Sequence, residues 1–251
     1  MKYENNALLL GRVLGIPIRL HLSLLILVGV FALVSGTGFL AVLVLAVGLF
    51  GSVALHELGH SVVAQAKGCR IHEIVLYPFG GAAKIANLPK RPLDEIQIAL
   101  AGPAVSLLLA VLFSLLPLPF AKFVAYINVM LFFFNLLPAF PMDGGRVFRS
   151  MLAIRKGRLE ATRIAAKVGK WFCVLFIVVG LIRFDFILAL IGFYILRAGQ
   201  AEYAMVALEY AQTNPFGSGT FAEEEQNGVE VGPPPYAEDD PLGRFRNLFR
   251  R

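Results

Sequence analysis

The chain has 251 residues, 57% of them hydrophobic and only 16% charged, with a formal net charge of +6 and a mean hydropathy of +0.71. Soluble domains average about 45–50% apolar and about 25% charged residues, so this composition excludes an ordinary soluble enzyme and points to a membrane protein. The positive charge sits in loops between apolar runs, which is topology and lipid contact and leaves no nucleic-acid footprint, and two cysteines, Cys69 and Cys173, make no disulfide framework.

In chain order, residues 11–19 alternate apolar and polar positions among turn residues and read as a short strand or an interfacial segment. The first apolar run is 20–34. No small-residue cleavage site precedes it, so this span is expected to be retained. His21 at its entrance reads as an interfacial histidine. The second run, 39–64, carries His56-Glu57-Leu58-Gly59-His60 in its later half, and no charge occurs from Gly38 to Leu55. Residues 70–77 then have strand composition, Pro78-Phe79-Gly80-Gly81 breaks them, and 82–86 can return as a second strand. His72 reads as a loop histidine. The third run, 96–116, follows Pro92 and Asp94-Glu95, acidic groups on the positive end of a helix. Its Ser106 and Ser114 read as packing residues. The fourth run is 120–137, the fifth 168–182 and the sixth 184–196.

The fold predicted is an all-α polytopic membrane protein of about six transmembrane helices, some tilted or short. A small β or re-entrant segment is expected near His56–His60, tolerated at membrane depth only under protein cover. With the N-terminus in the cytoplasm, six crossings leave only Lys122 and Arg183 outside. Arg146, Arg149, Arg155 and their neighbours then fill a basic inner loop. The expected location is a multi-pass cell-membrane protein with both termini cytoplasmic and the site toward that side. The expected domains are a membrane domain at 1–210, a disordered acidic linker at 211–240 and a short basic amphipathic segment at 241–251.

The chemistry starts from HExxH. Two imidazoles one helical turn apart share a face. Both can reach one Zn²⁺, and the glutamate between them can move protons on a water held there. Chance gives about 0.003 such matches in a chain of this composition. Buried imidazole and carboxylate within lipid are costly unless paired or coordinated. A catalytic zinc site needs a third protein ligand and an open position. Asp143, just past the cytoplasmic end of the fourth run, lies at matching depth. Pro138 and Pro141 break that helix and Gly144-Gly145 lets the backbone bend, presenting a carboxylate from an unwound helix end.

Three sets of residues now stand in order: His56-Glu57-Leu58-Gly59-His60, Asn135 with Pro138, and Pro141-Met142-Asp143-Gly144-Gly145. In this the sequence resembles the site-2 protease family of intramembrane zinc metalloproteases, from about residue 10 to about residue 205. Weaker echoes are Pro78-Phe79-Gly80-Gly81 and Ala101-Gly102-Pro103. The six-span layout is similar to the compact branch of sporulation-factor-processing proteases, and the chain is expected to carry neither a PDZ nor a CBS domain. The resemblance implies one Zn²⁺ per chain on His56, His60 and Asp143. It implies Glu57 as general base and later proton donor, and Asn135 as a hydrogen-bond donor to the substrate backbone or developing oxyanion.

The function expected is hydrolysis of a peptide bond in or beside the transmembrane segment of a membrane-protein substrate. The partners expected are that substrate, the lipid bilayer and a regulatory membrane protein, with no nucleic acid. Intramembrane His, Glu and Asp can also line an ion path, so a metal-ion-binding transporter or channel is the alternative.

Overall fold

The computed structural model describes residues 3–4, 6–36, 38–78, 80–87, 89, 91–140 and 142–213. The chain divides into two units, 1–207 and 208–251. The first unit holds the sheet and nearly all of the helical residues, while only the last turns of the final helix are described in the second. Phe79, Pro141, most of the acidic linker and all of the basic C-terminal segment lie outside the described residues.

Five strands and seven helices are described: β1 (Tyr3–Glu4), β2 (Ala7–Val13), β3 (Ile16–His21), α1 (Leu22–Val34), α2 (Phe39–Ala66), β4 (Arg70–Tyr77), β5 (Gly80–Ala86), α3 (Pro92–Ser114), α4 (Pro119–Asn135), α5 (Asp143–Lys156), α6 (Arg158–Ile182) and α7 (Phe186–Thr213). The fold is mostly helical, as predicted. Of the helices, α2, α3 and α6 are long and apolar enough to cross a membrane, while α1 and α4 are shorter apolar helices.

The small β segment is larger than predicted. The strands form one sheet in the order β1-β2-β3-β4-β5. The stretch 11–19, which reads equally as strand or interfacial segment, supplies most of a hairpin. Leu14 (φ 51°) and Gly15 (φ 81°) take the two positive-φ positions of a tight turn, the geometry that matches the twist of paired strands. β3 then pairs in parallel with β4 (Ile18 with Ile74, Leu20 with Leu76). A parallel pair needs a long crossover, and α1 and α2 provide it. This topology ties the start of the chain to the strand that follows the HExxH helix. The buried side chains of Ile16, Leu24, Val53, Ile74 and Leu76 form a core between the sheet, α1 and α2. Glu73 joins three strands by pairing with Arg19 Nε at 2.8 Å and Lys84 Nζ at 2.6 Å. The hydrogen bond from Lys84 to Glu73 raises the Lys84 amine above its ordinary range.

The helical part is held by buried polar contacts that have no signature in the sequence. Asn128 on α4, fully buried, donates from Nδ2 to Ser52 Oγ on α2 at 2.8 Å, and Ser52 donates to the Gly48 carbonyl. Such interhelical bonds contribute about 0.6–2 kcal/mol in a membrane. Residues 143–156, predicted to belong to a basic inner loop, form the helix α5. Its Arg149 is 3% exposed, pairs with Glu95 of α3 and with Glu202 of α7 (3.2 Å), and stacks on the Phe140 ring. Glu95 is thus more than dipole chemistry at a helix start. Asp94 likewise pairs with Lys67 at 2.7 Å, joining α3 to the end of α2.

Candidate metal centre

His56 and His60 lie one turn apart on α2 and are both 4% exposed. The third group lies just past α4, as predicted, but on a helix of its own. Asp143 is the first residue of α5, a separate helix beginning after the loop 136–140, and is not carried by an unwound end of α4. That loop is gripped by small residues. A Cβ on Gly145 would strike the backbone of Ala139 (2.7 Å) and Phe140 (2.8 Å), and one on Gly169 of α6 would meet Phe140 N at 2.9 Å. Only glycine permits such close backbone approach. The contact aims Asp143 back at α2.

The three groups converge. His56 Nε2 lies 3.1 Å from His60 Nε2, and each lies 3.2 Å from Asp143 Oδ2. Outer contacts decide which atoms face inward. His60 Nδ1 lies 2.7 Å from the Ile98 carbonyl. A carbonyl can only accept, so Nδ1 carries the proton and Nε2 presents its lone pair. The Gly102 amide, at 3.3 Å from the same nitrogen, is then a neighbour and not its donor. His56 Nδ1 lies 2.9 Å from the hydroxyl of fully buried Ser106. Ser106, predicted to pack, therefore orients a histidine. Pro103 inside α3 has no N–H for the Ala99 carbonyl, and the preceding carbonyl, Ile98, is the one that turns to His60.

A cation fits this donor set. Ligands at ~2.05 Å around a tetrahedral ion stand ~3.3 Å apart, close to the observed edges of 3.1–3.2 Å. With a proton on His56 Nε2 these contacts are hydrogen bonds; with both imidazoles presenting lone pairs, a cation is needed to hold them against the carboxylate. The three residues can hold one metal ion. Gly102 makes the room: a Cβ there would overlap the His60 ring and come within 2.6 Å of His56 Nε2. His21 and His72 stand outside the cluster. His21 caps α1 instead, its Nδ1 accepting from the Ser23 amide at 3.3 Å.

The triangle opens into a cavity of about 670 Å³. Glu57 and Asn135 both line it, as do Gly80 and Gly81 of β5, Arg146 of α5 and Tyr194 of α7. Asn135 ends α4 and donates from Nδ2 to the Leu131 carbonyl at 2.9 Å, leaving its second N–H and its Oδ1 for other partners. Gly81 lies against Glu57, where a Cβ would sit 2.5 Å from Glu57 Cγ. The structure therefore brings together all five predicted site residues. It adds Ser106, Gly102 and Gly81; the two glycines stood in the weaker motif echoes, whereas nothing in the sequence marked Ser106.

A profile of Peptidase family M50 matches residues 44–120 and 117–179. A zinc metalloprotease of Methanocaldococcus jannaschii is 36% identical over 218 residues, 82% of this chain and 63% of that protein. Stage IV sporulation protein FB of Bacillus subtilis is 32% identical over 131 residues, 49% of this chain and 45% of its own length. The chain thus spans less than two thirds of these curated relatives. The solved site-2 protease from Methanocaldococcus jannaschii superposes with a TM-score of 0.63 at 35% identity, covering 78% of this chain and 95% of that one. With the two matched segments together covering more than half of the chain, HExxH in the first and Asn135 and Asp143 in the second, the chain belongs to peptidase family M50, the site-2 protease family.

Proposed function

We propose that the protein is an intramembrane zinc metalloprotease that hydrolyses a peptide bond in or beside the transmembrane segment of a membrane-protein substrate. The observation that carries this reading is the convergence of His56, His60 and Asp143 beside Glu57 and Asn135 in one cavity. His56, His60 and Asp143 hold one Zn²⁺ per chain; when bound, the ion polarises the scissile carbonyl and makes a nearby water more acidic.

The chain's own residues do the rest. Glu57 takes a proton from the attacking water as its oxygen adds to the carbonyl carbon. It then delivers that proton to the amine nitrogen as the C–N bond breaks. Gly81 keeps the approach to that carboxylate clear. Asn135 donates its free N–H to the substrate backbone or the developing oxyanion. A transmembrane helix hides its carbonyls in i→i−4 bonds, so the substrate must unwind before it is cut. β5 lies at the edge of its sheet and borders the cavity through Gly80 and Gly81. That edge receives the unwound segment by strand addition.

We take α1, α2, α3, α4, α6 and α7 as six crossings; the excess of Lys and Arg in the loops between them supports a cytoplasmic side for both termini, α5 and the centre. A membrane protein that presents or withholds the substrate is the regulatory partner we expect. The ion-path alternative finds no support: among the described residues one three-donor cluster is found, where conduction uses several sites in series. Co-expression with single-span candidate substrates tests the reading. Native protein should yield a shortened product that Glu57→Gln does not, while equal products from both would refute it.

A further inference from the structure

Arg146 is the one guanidinium among the described residues that line the cavity. It follows Asp143 by three positions on α5, so the two side chains share a helix face. Its side chain is 22% exposed, and the carboxylate paired with it among the described residues is Glu95 Oε1, 3.9 Å from Nε, at the outer limit of an ion pair. That carboxylate is already engaged by Arg149, which lies much closer and also takes Glu202 at 3.2 Å. A guanidinium offers five N–H donors in a planar fork. One long contact through Nε leaves the Nη pair, the part that grips a carboxylate bidentately. The cavity also holds the carboxylates of Glu57, which feels the Arg146 charge, and of Asp143, but neither forms an ion pair with it, and Leu131, Met142, Ile191 and Ile195 on the other walls are apolar.

Resting on the proteolytic reading above, we propose that Arg146 is a specificity-determining residue that binds a carboxylate of the substrate chain one helical turn from the metal centre. Two carboxylates have this chemistry. One is an acidic side chain flanking the scissile bond. The other is the new C-terminal carboxylate that hydrolysis creates, when water oxygen adds to the carbonyl carbon and the nitrogen leaves as an amine.

The test uses the zinc-loaded full chain in lipid nanodiscs, with two arms. In the first, peptides identical except for Glu or Gln beside the cut are compared by kcat/KM. Native protein should favour Glu about tenfold, the scale of one charge-assisted hydrogen bond. Arg146→Met should bring the ratio to about one, and Arg146→Glu should reverse it in favour of Gln. In the second arm, product peptides ending in carboxylate or amide bind the Glu57→Gln protein, read by fluorescence anisotropy. The advantage of the carboxylate form should shrink about tenfold when Arg146→Met is added. A change in the first arm assigns the acidic side chain, and a change in the second alone assigns the terminal carboxylate. Arg146→Lys, which keeps charge but loses the fork, should fall between native and Met and serves where Met costs folding or zinc. Both ratios unmoved by every substitution, at equal zinc content, would overturn the proposal. Equal cleavage by native and Glu57→Gln protein would instead refute the proteolytic reading, and the binding arm would still decide Arg146.

Discussion

At the scale of single residues, the centre is defined by which atoms are forced to face one another. His60 has no choice of tautomer once the Ile98 carbonyl lies 2.7 Å from Nδ1, and the lone pair left over points at His56 and Asp143. Metal content should therefore depend on three side chains. His56→Ala, His60→Ala and Asp143→Ala should each lose most of about one zinc per chain, measured by mass spectrometry of the purified protein, while Glu57→Gln retains it. Full zinc in Asp143→Ala would show that Asp143 is not the third ligand. Gly102→Ala should cost zinc as well, because its methyl group would occupy the space of the histidine nitrogens. Asn135→Ala should keep zinc and slow cleavage about 10²–10³-fold. An unchanged rate would reduce Asn135 to the helix-end contact it makes with Leu131.

At the scale of elements, α5 was the least legible part of the chain. Its sequence, Asp143-Gly144-Gly145-Arg146, reads as a loop after two prolines, because glycine at the second and third helical positions lowers helix propensity by about 1 kcal/mol each. Tertiary contact overrides that cost: the glycines are where α5 meets the backbone of the loop 136–140. Arg149 was hidden for a similar reason. A lone arginine in a basic stretch reads as topology, and its two carboxylates lie more than fifty residues away on either side. Breaking a buried ion pair from one side costs roughly 3–5 kcal/mol. Arg149→Ala should thus lower the unfolding temperature in detergent by several degrees and release zinc more readily, since α5 also carries Asp143. A melting curve identical to native would show that Arg149 does not anchor the helix. By contrast, the HExxH helix was legible almost to the residue, predicted over 39–64 and found as Phe39–Ala66, since a long uncharged run has few alternatives.

At the scale of the whole molecule, the sheet does what no single segment announces. The hairpin 7–21 precedes the HExxH helix and β4 follows it, yet β3 and β4 pair in parallel. That non-local pairing brackets α2 and leaves β5 as the edge strand beside the cavity. Strand pairing across fifty residues leaves no local signature, so the sequence disclosed the strand character of 70–86 but not the partner. On the proposed function, these elements hold zinc so that Glu57 can move the proton of an attacking water. That claim's most direct test is one reconstituted cleavage reaction. Native and Glu57→Gln proteins, shown to contain equal zinc, are incubated in liposomes with the same single-span substrate, and the products are mapped by mass spectrometry. Native protein should make one cut in or beside the apolar segment, and Glu57→Gln should lose at least about 10²-fold in rate. Cleavage by Glu57→Gln at the native rate would contradict the claim.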